Sequence, residues 1–431
     1  MKAGIHAVIA VAIATCTPAR ATDPGTALSE HVKEKTSDRI ELHFEVRSRV
    51  EFRNEQDFGN GSDLHGQFIR TRVGIIVRPS SWLRISVLGQ DARVPFLGRP
   101  APGTMRDPFD LQEAYAEFFG TAKKGFTADL GRRMLQYGDT RVIGAPQWAY
   151  TARTYDFARA AWRAGKHRFE VLFISPIKPN GNSFNRPILG DRVWGTYNTL
   201  GDLWAGATLD LYALRHDQNR IGGFTGVGRL ATNSFGFRLA TPLTGSTRFT
   251  GEAIAQTGEI GGLPHRAYAW AAQWGFKTQL ANHVLDTVAE YKVASGSRRA
   301  DRSGTYDQLY PAGHDKLGHA DLLGWRNVRN VKITSTYALT KELALTTMFN
   351  DSWLAVSTDA AYNLQGRPIA RSISGTAGSH LGREADLFAT WKRGPLTLGA
   401  GFGYFFTGRF LKYTTPGLDQ RLVYFYQTYS F

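Results

Sequence analysis

The stretch "RIELHFEVRSRVEF", Arg39 to Phe52, places Ile40, Leu42, Phe44, Val46, Val50 and Phe52 on one parity and Arg39, Glu41, His43, Glu45, Arg47, Arg49 and Glu51 on the other. Successive side chains of a strand point to opposite faces, so this segment presents one oily face and one charged face. The same alternation returns in "FIRTRVGIIV", "HRFEVLF" and "HVLDTVAEYKV". Runs of about ten residues or more exceed the commonest strand length of soluble sheets and match what a tilted strand needs to cross a bilayer. A soluble sandwich or propeller would have shorter strands.

About 18 such segments can be marked, the first near residues 39–53 and the last near 420–431. Their connections alternate in length. Those after even-numbered segments are tight, such as "RPSS", "AGK" and "RGP"; those after odd-numbered ones are mostly long, including residues 94–109, 135–154, 176–192, 216–231, 297–325 and 357–381. The pattern predicts an all-β fold, a transmembrane antiparallel β-barrel of about 18 strands with short periplasmic turns and long outer loops, in a bacterial outer membrane. After the N-terminal segment no run approaches the 18 or so apolar residues of a membrane helix. The closing strand "RLVYFYQTYSF" ends on Phe431, with Phe425 and Tyr429 on the same face, which predicts the terminal signal read by barrel-insertion machinery. Outer-membrane lipid is the second expected partner.

Residues 1–21 combine Lys2, the apolar run "IHAVIAVAIA" and the small-residue pattern "ARA", which predicts a signal peptide cut after Ala21. A short periplasmic segment, 22–38, precedes a barrel at 39–431. Cys16 is the one cysteine and falls in the leader, so a disulfide framework, a thiolate metal site and a cysteine nucleophile are excluded from the mature chain. The formal charge is +15, and loss of Lys2 and Arg20 lowers it by two. In an exported chain such a balance points to anionic solutes or lipid rather than nucleic acid.

An 18-stranded barrel leaves an aqueous lumen unless loops enter it. Parity turns Arg47, Arg49, Arg70, Arg72, Arg84, Arg133, Arg168, Arg238, Lys292 and Lys332 inward, with Glu45, Glu113, Glu117, Glu252, Glu290 and Asp386 among the acids. Arg141, Arg153 and Arg159 join the expected anion pathway. An excess of guanidinium favours anions, because the group keeps its charge and forks onto carboxylate or phosphate.

The stretch "DQLYPAGHDKLGHADLLGWRN" holds Asp307, His314, Asp315, Lys316, His319 and Asp321. Its histidines lie five apart, not at the i, i+4 spacing that sets two zinc ligands on one helix face. No catalytic residue, metal or cofactor is therefore expected. The expectation is instead a constriction or gate: Asp307, Asp315 and Asp321 pair with lumen arginines while Lys316 and the imidazoles face the solute. Asp139, Trp148 and Asp156, in the loop region after residue 134, belong to the same expected gate.

Three stretches are more specific than a barrel requires. "GRRMLQYGDTRVIGAPQWAYTARTYDFARAAW", "DLQEAYAEF" and "DQLYPAGHDKLGHADLLGWRN" resemble the alginate export family, whose members show similar G-R-x-x-L-x-Y-G-D, W-x-x-x-x-R-x-x-D and Y-P-x-x-H-D-K-x-G-H-x-D runs. The resemblance spans nearly the whole mature chain. It implies an 18-stranded barrel with an Arg-rich, anion-selective lumen, passing a uronate-type polysaccharide or oligosaccharide. A general or nutrient-uptake porin for other small anions is the alternative; an outer-membrane enzyme and a surface adhesin are the more distant ones.

Overall fold

The computed structural model describes residues 23–97, 105–120, 124–223 and 226–431. The predicted signal peptide lies outside the described residues. Eighteen strands close into an antiparallel barrel. In chain order they are β1 (Ile40–Asn54), β2 (Leu64–Ser80), β3 (Leu83–Phe96), β4 (Asp107–Phe118), β5 (Lys124–Arg133), β6 (Tyr155–Ala164), β7 (His167–Lys178), β8 (Asp191–Leu200), β9 (Thr208–Gly223), β10 (Gly226–Pro242), β11 (Thr247–Ile260), β12 (Leu263–Leu280), β13 (His283–Ala294), β14 (Val328–Ala338), β15 (Leu343–Leu354), β16 (His380–Arg393), β17 (Leu396–Thr407) and β18 (Gln420–Ser430). Each pairs with its neighbours, and β18 pairs back onto β1 from Glu45↔Ser430 to Asn54↔Arg421. Closure leaves no sheet edge exposed to lipid.

The alternation read from the sequence sets which face is which. Arg47, Arg49 and Glu51 are buried inside, whereas Phe52 beside them is exposed on the outer wall. Val73, Phe126, Trp162, Val171, Phe235 and Trp274 continue that apolar outer surface, each more than half exposed. Such a band is stable only against hydrocarbon.

The turns at one rim are two to seven residues long, for instance 81–82, 165–166 and 394–395. The opposite rim carries the long loops, chief among them 134–154, 295–327 and 355–379. One expectation fails here: residues 216–231 are not a long loop, because β9 runs to Gly223 and β10 starts at Gly226. That segment alternates polar and apolar residues less regularly, so the strand hid there.

A helix, α1 (Pro24–Lys35), precedes β1 and is capped by the Asp23 side chain on Thr26 N at 3.1 Å. Tyr429 donates to the same carboxylate, and Gly25 packs on the Phe431 ring. Phe431 stacks on Phe44 at 5.5 Å and exchanges backbone hydrogen bonds with it, so α1, the start of β1 and the C-terminal residue meet at the barrel seam on the short-turn rim.

Candidate functional site

Two of the long loops turn inward instead of standing above the rim. Residues 134–154 follow β5, residues 295–327 follow β13, and inside the barrel their backbones run side by side. Tyr310 N donates to Val142 O, Gly144 N to Tyr310 O and Ala312 N to Thr140 O, each at 2.9 Å. The approach is close enough that a Cβ on Gly144 would lie 2.7 Å from Ala312 N. Tyr155, wholly buried on β6, donates to Gly144 O at 2.9 Å and ties the pair to the wall.

An apolar cluster holds the plug on one side. Val142, Ile143, Tyr306, Leu309 and Leu323 from the loops pack with inward-facing Phe157, Ile174, Val193 and Leu214 from the wall. Burial of each such side chain contributes about 1.5–3 kcal/mol. Parity alone predicted a lumen lined by charge; on this side it is instead a hydrophobic core.

Arginines hold the other side. Arg47 donates to Gln147 O at 2.9 Å, Arg49 to Trp148 O at 2.6 Å, and Arg70 to both Gln147 O and Ala149 O at 3.1 Å. Arg72 reaches Gln147 Oε1 at 2.9 Å. Glu45 pairs with Arg70 at 2.9 Å and Glu51 with Arg49 at 2.7 Å. Arg47 makes no ion pair among the described residues and lies 4.9 Å from the Trp148 ring and 5.5 Å from that of Tyr426. Three guanidiniums thus grip the 147–149 backbone and a fourth the Gln147 side chain, with only two carboxylates between them.

A buried ionic network joins the plug to the wall. Arg141, 2% exposed, donates to Glu290 at 3.0 Å and lies 3.8 Å from Glu252. Lys292, fully buried, pairs with Glu290 and donates to Lys316 O. Lys332 donates to Asp315 O at 2.6 Å. Charges this deep persist only because each has a partner.

The turn around His314–Asp321 departs from its expected pairing. Asp307 meets His216 at 2.7 Å and Thr232 at 3.0 Å; Asp315 meets His319 at 2.5 Å; Asp321 meets His314 at 2.9 Å. The aspartates therefore pair with imidazoles, not with lumen arginines, because the arginines on β1 and β2 are occupied by loop carbonyls. Burial alone would raise the Asp307 carboxyl, yet the adjoining His216 holds it well below the usual carboxylate range. His319 is buried between Phe388 and Tyr424 and does not face an open lumen. Lys316 Nζ makes no hydrogen bond or ion pair among the described residues. Burial, then the nearby Arg141 and Lys332 charges, lower its ammonium from 10.5 to about 8.

A wall carboxylate and a wall guanidinium complete the seat. Ala320 N donates to Glu384 at 2.7 Å, and Arg53 donates to Ala320 O at 2.6 Å. Gly318, at φ +119, packs so closely on Glu384 that a side chain there would overlap the carboxylate.

The remaining expected residues divide by partner. Arg159 forks onto Asp129 at 2.6 and 2.7 Å; Arg133 pairs with Asp129 at 3.1 Å; Arg84 lies 3.8 Å from Glu117. Arg153 donates to Pro311 O at 3.0 Å, and Asp139 pairs with Arg238 at 2.5 Å. Trp148 stacks on His314 at 4.6 Å. Asp156 is not part of the gate: it stands on β6 with outward parity and pairs with Arg132 on the outer wall at 2.7 Å. Sequence reasoning missed His216, Asp191 and Tyr310, which bond one another beside Asp307. His216 and Asp191 had fallen in stretches taken for loop, where parity was not applied.

Above the plug, at the long-loop mouth, lies a cavity of about 380 Å³. Arg49, Arg53, Arg153 and Arg421 line it against two carboxylates, Asp57 and Asp321, with Trp148, Tyr150 and His314 in its wall.

Residues 38–425 match the family model described as alginate export. No curated protein matches the chain. Among solved structures, OccK8 (OprE) of Pseudomonas aeruginosa is similar at 10% identity and a TM-score of 0.60, over 91% of this chain and 98% of that one. OccAB2 of Acinetobacter baumannii is similar at 10% identity and 0.61, over 91% and 98%. OpdK of Pseudomonas aeruginosa, in its structure with vanillate, is similar at 10% identity and 0.60, over 90% and 98%. At such identities the likeness is one of fold.

Proposed function

Because this chain belongs to the alginate export family and is an outer-membrane channel, we propose that it passes anionic solutes, with uronate-type oligosaccharide or polysaccharide as the substrate class. The observation that carries this reading is the 380 Å³ cavity at the mouth, lined by four arginines and two aspartates. Its size lies at the low end for ligand pockets and suits one or two sugar units. Guanidinium forks match carboxylates, while the Trp148 and Tyr150 rings suit the flat faces of a sugar. The long-loop rim is assigned to the cell exterior and the short-turn rim, with both chain ends, to the periplasm. Phe431 is assigned to recognition by the insertion machinery. No catalytic role is assigned.

A second reading has its own support. OpdK was solved with vanillate, a small carboxylate, and uptake of such anions would use the same arginines. Current through single channels in planar bilayers separates the two. Oligouronates at millimolar concentration are expected to block it, neutral oligosaccharides of equal length to leave it unchanged, and Arg153→Ala to weaken the block roughly tenfold. Block by small monocarboxylates without block by oligouronates favours the porin reading; no block by either contradicts both.

A further inference from the structure

We propose that His314, Asp315 and His319 form a binding site for one divalent transition-metal cation of the zinc type. The three side chains bring one ligand atom each to within 4.8 Å of the others. His319 Nδ1 lies 2.5 Å and His314 Nε2 3.4 Å from the same oxygen, Asp315 Oδ1. Both imidazoles therefore turn a nitrogen toward one carboxylate.

Their other nitrogens are already engaged. His314 Nδ1 lies 2.9 Å from Asp321 Oδ2, and His319 Nε2 lies 2.8 Å from the Tyr424 hydroxyl. A carboxylate or hydroxyl behind each ring fixes its tautomer and orientation, which is how protein sites prepare histidine for a metal. The rings are also clamped by stacking, His314 on Trp148 at 4.6 Å and His319 on Phe388 at 4.5 Å. Asp315 sits at φ +62, and its carbonyl is held by Lys332 at 2.6 Å, so the turn is fixed to the wall before any ion arrives.

A tetrahedral cation with bonds of about 2.0–2.1 Å holds its donors roughly 3.3 Å apart. The His314 distance fits as it stands, and the His319 contact must open by roughly 0.8 Å, a small side-chain rotation. Two nitrogens and one oxygen suit zinc, copper, nickel or cobalt; calcium and magnesium prefer all-oxygen shells. The Asp315 side chain is 39% exposed, and His314 borders the mouth cavity, which leaves the fourth position to water. Asp321 lies near enough to Arg53 to offset part of its charge. A bound cation would tie the turn that seats the plug to itself.

The test uses the full chain folded in detergent micelles, with folding scored by heat-modifiable mobility, and Zn²⁺ titrated by calorimetry. One saturable equivalent is expected. His314→Asn, at the more accessible ring, should abolish binding, His319→Asn likewise, and Asp321→Asn should weaken it about 10–100-fold. Co²⁺ added to the wild type should give the visible absorption of a tetrahedral site. Absence of binding by folded wild type at 1 mM Zn²⁺ as an order of magnitude, or unchanged affinity in folded His314→Asn, overturns the proposal. Neither readout depends on which solute the channel carries.

Discussion

Deleting residues 312–322 and bridging the gap with a short Gly/Ser linker is expected to raise single-channel conductance roughly threefold or more, because an 18-stranded wall encloses an open aqueous lumen when no loop fills it. The segment includes the carbonyls of Asp315, Lys316 and Ala320, which accept from Lys332, Lys292 and Arg53, and the Ala320 amide seated on Glu384. It also removes Ala312, whose amide helps pair the two inner loops. Discrimination between solutes should blur at the same time, since the narrow part of the path is lost while the wall arginines remain. The barrel itself should still assemble, because its ladder closes through β1 and β18 without this segment. Unchanged conductance would show that the turn does not constrict the path.

Glu290→Ala should loosen the plug from within. Arg141 and Lys292, each at most 2% exposed, both pair with this carboxylate, and Gln273 donates to it as well. Removing one partner of a buried pair leaves the others uncompensated and costs about 3–5 kcal/mol. The cost falls on the plug, because Glu290 joins the wall ladder through its backbone, which the substitution keeps. Amide exchange in residues 134–154 and 295–327 should therefore accelerate roughly 10²–10³-fold, each factor of ten corresponding to about 1.4 kcal/mol. Exchange in β1 and β18 should hardly change. An increase below about threefold in the loops, less than ~1 kcal/mol, would contradict the role given to this network.

The wall was legible because lipid outside and water inside enforce a period of two. Arg47, Arg49 and Glu51 point in and Phe52 points out, as parity requires. The same logic reached Glu290, Lys292 and Lys332 on β13 and β14. It did not reach the core of the plug. Phe157, Ile174 and Val193 face inward although they are apolar. Only the knowledge that a loop covers them explains why they are not on the lipid face. The two inner loops were marked in the sequence as places to seek a gate. Their partners were not, because His216 lies 91 residues from Asp307 in the chain and Tyr155 is 155 from Tyr310. Asp156 shows the opposite error: it stands on β6, just past the 135–154 loop, yet was counted with the gate.

The geometry also changes what the arginines do. Most of the arginines named from the sequence are occupied by loop carbonyls or by carboxylates, as Arg70 and Arg159 are. Arg49, Arg53, Arg153 and Arg421 border the mouth cavity, the first three while also donating to loop carbonyls. Under the proposed function, selectivity would rest on a short stretch of the path and not on the whole lumen.

The most direct measurement is the reversal potential of the purified chain in a planar bilayer under a tenfold KCl gradient. The account predicts a potential displaced toward the chloride equilibrium value. A displacement toward the potassium value, or a folded barrel with no conductance, would contradict it.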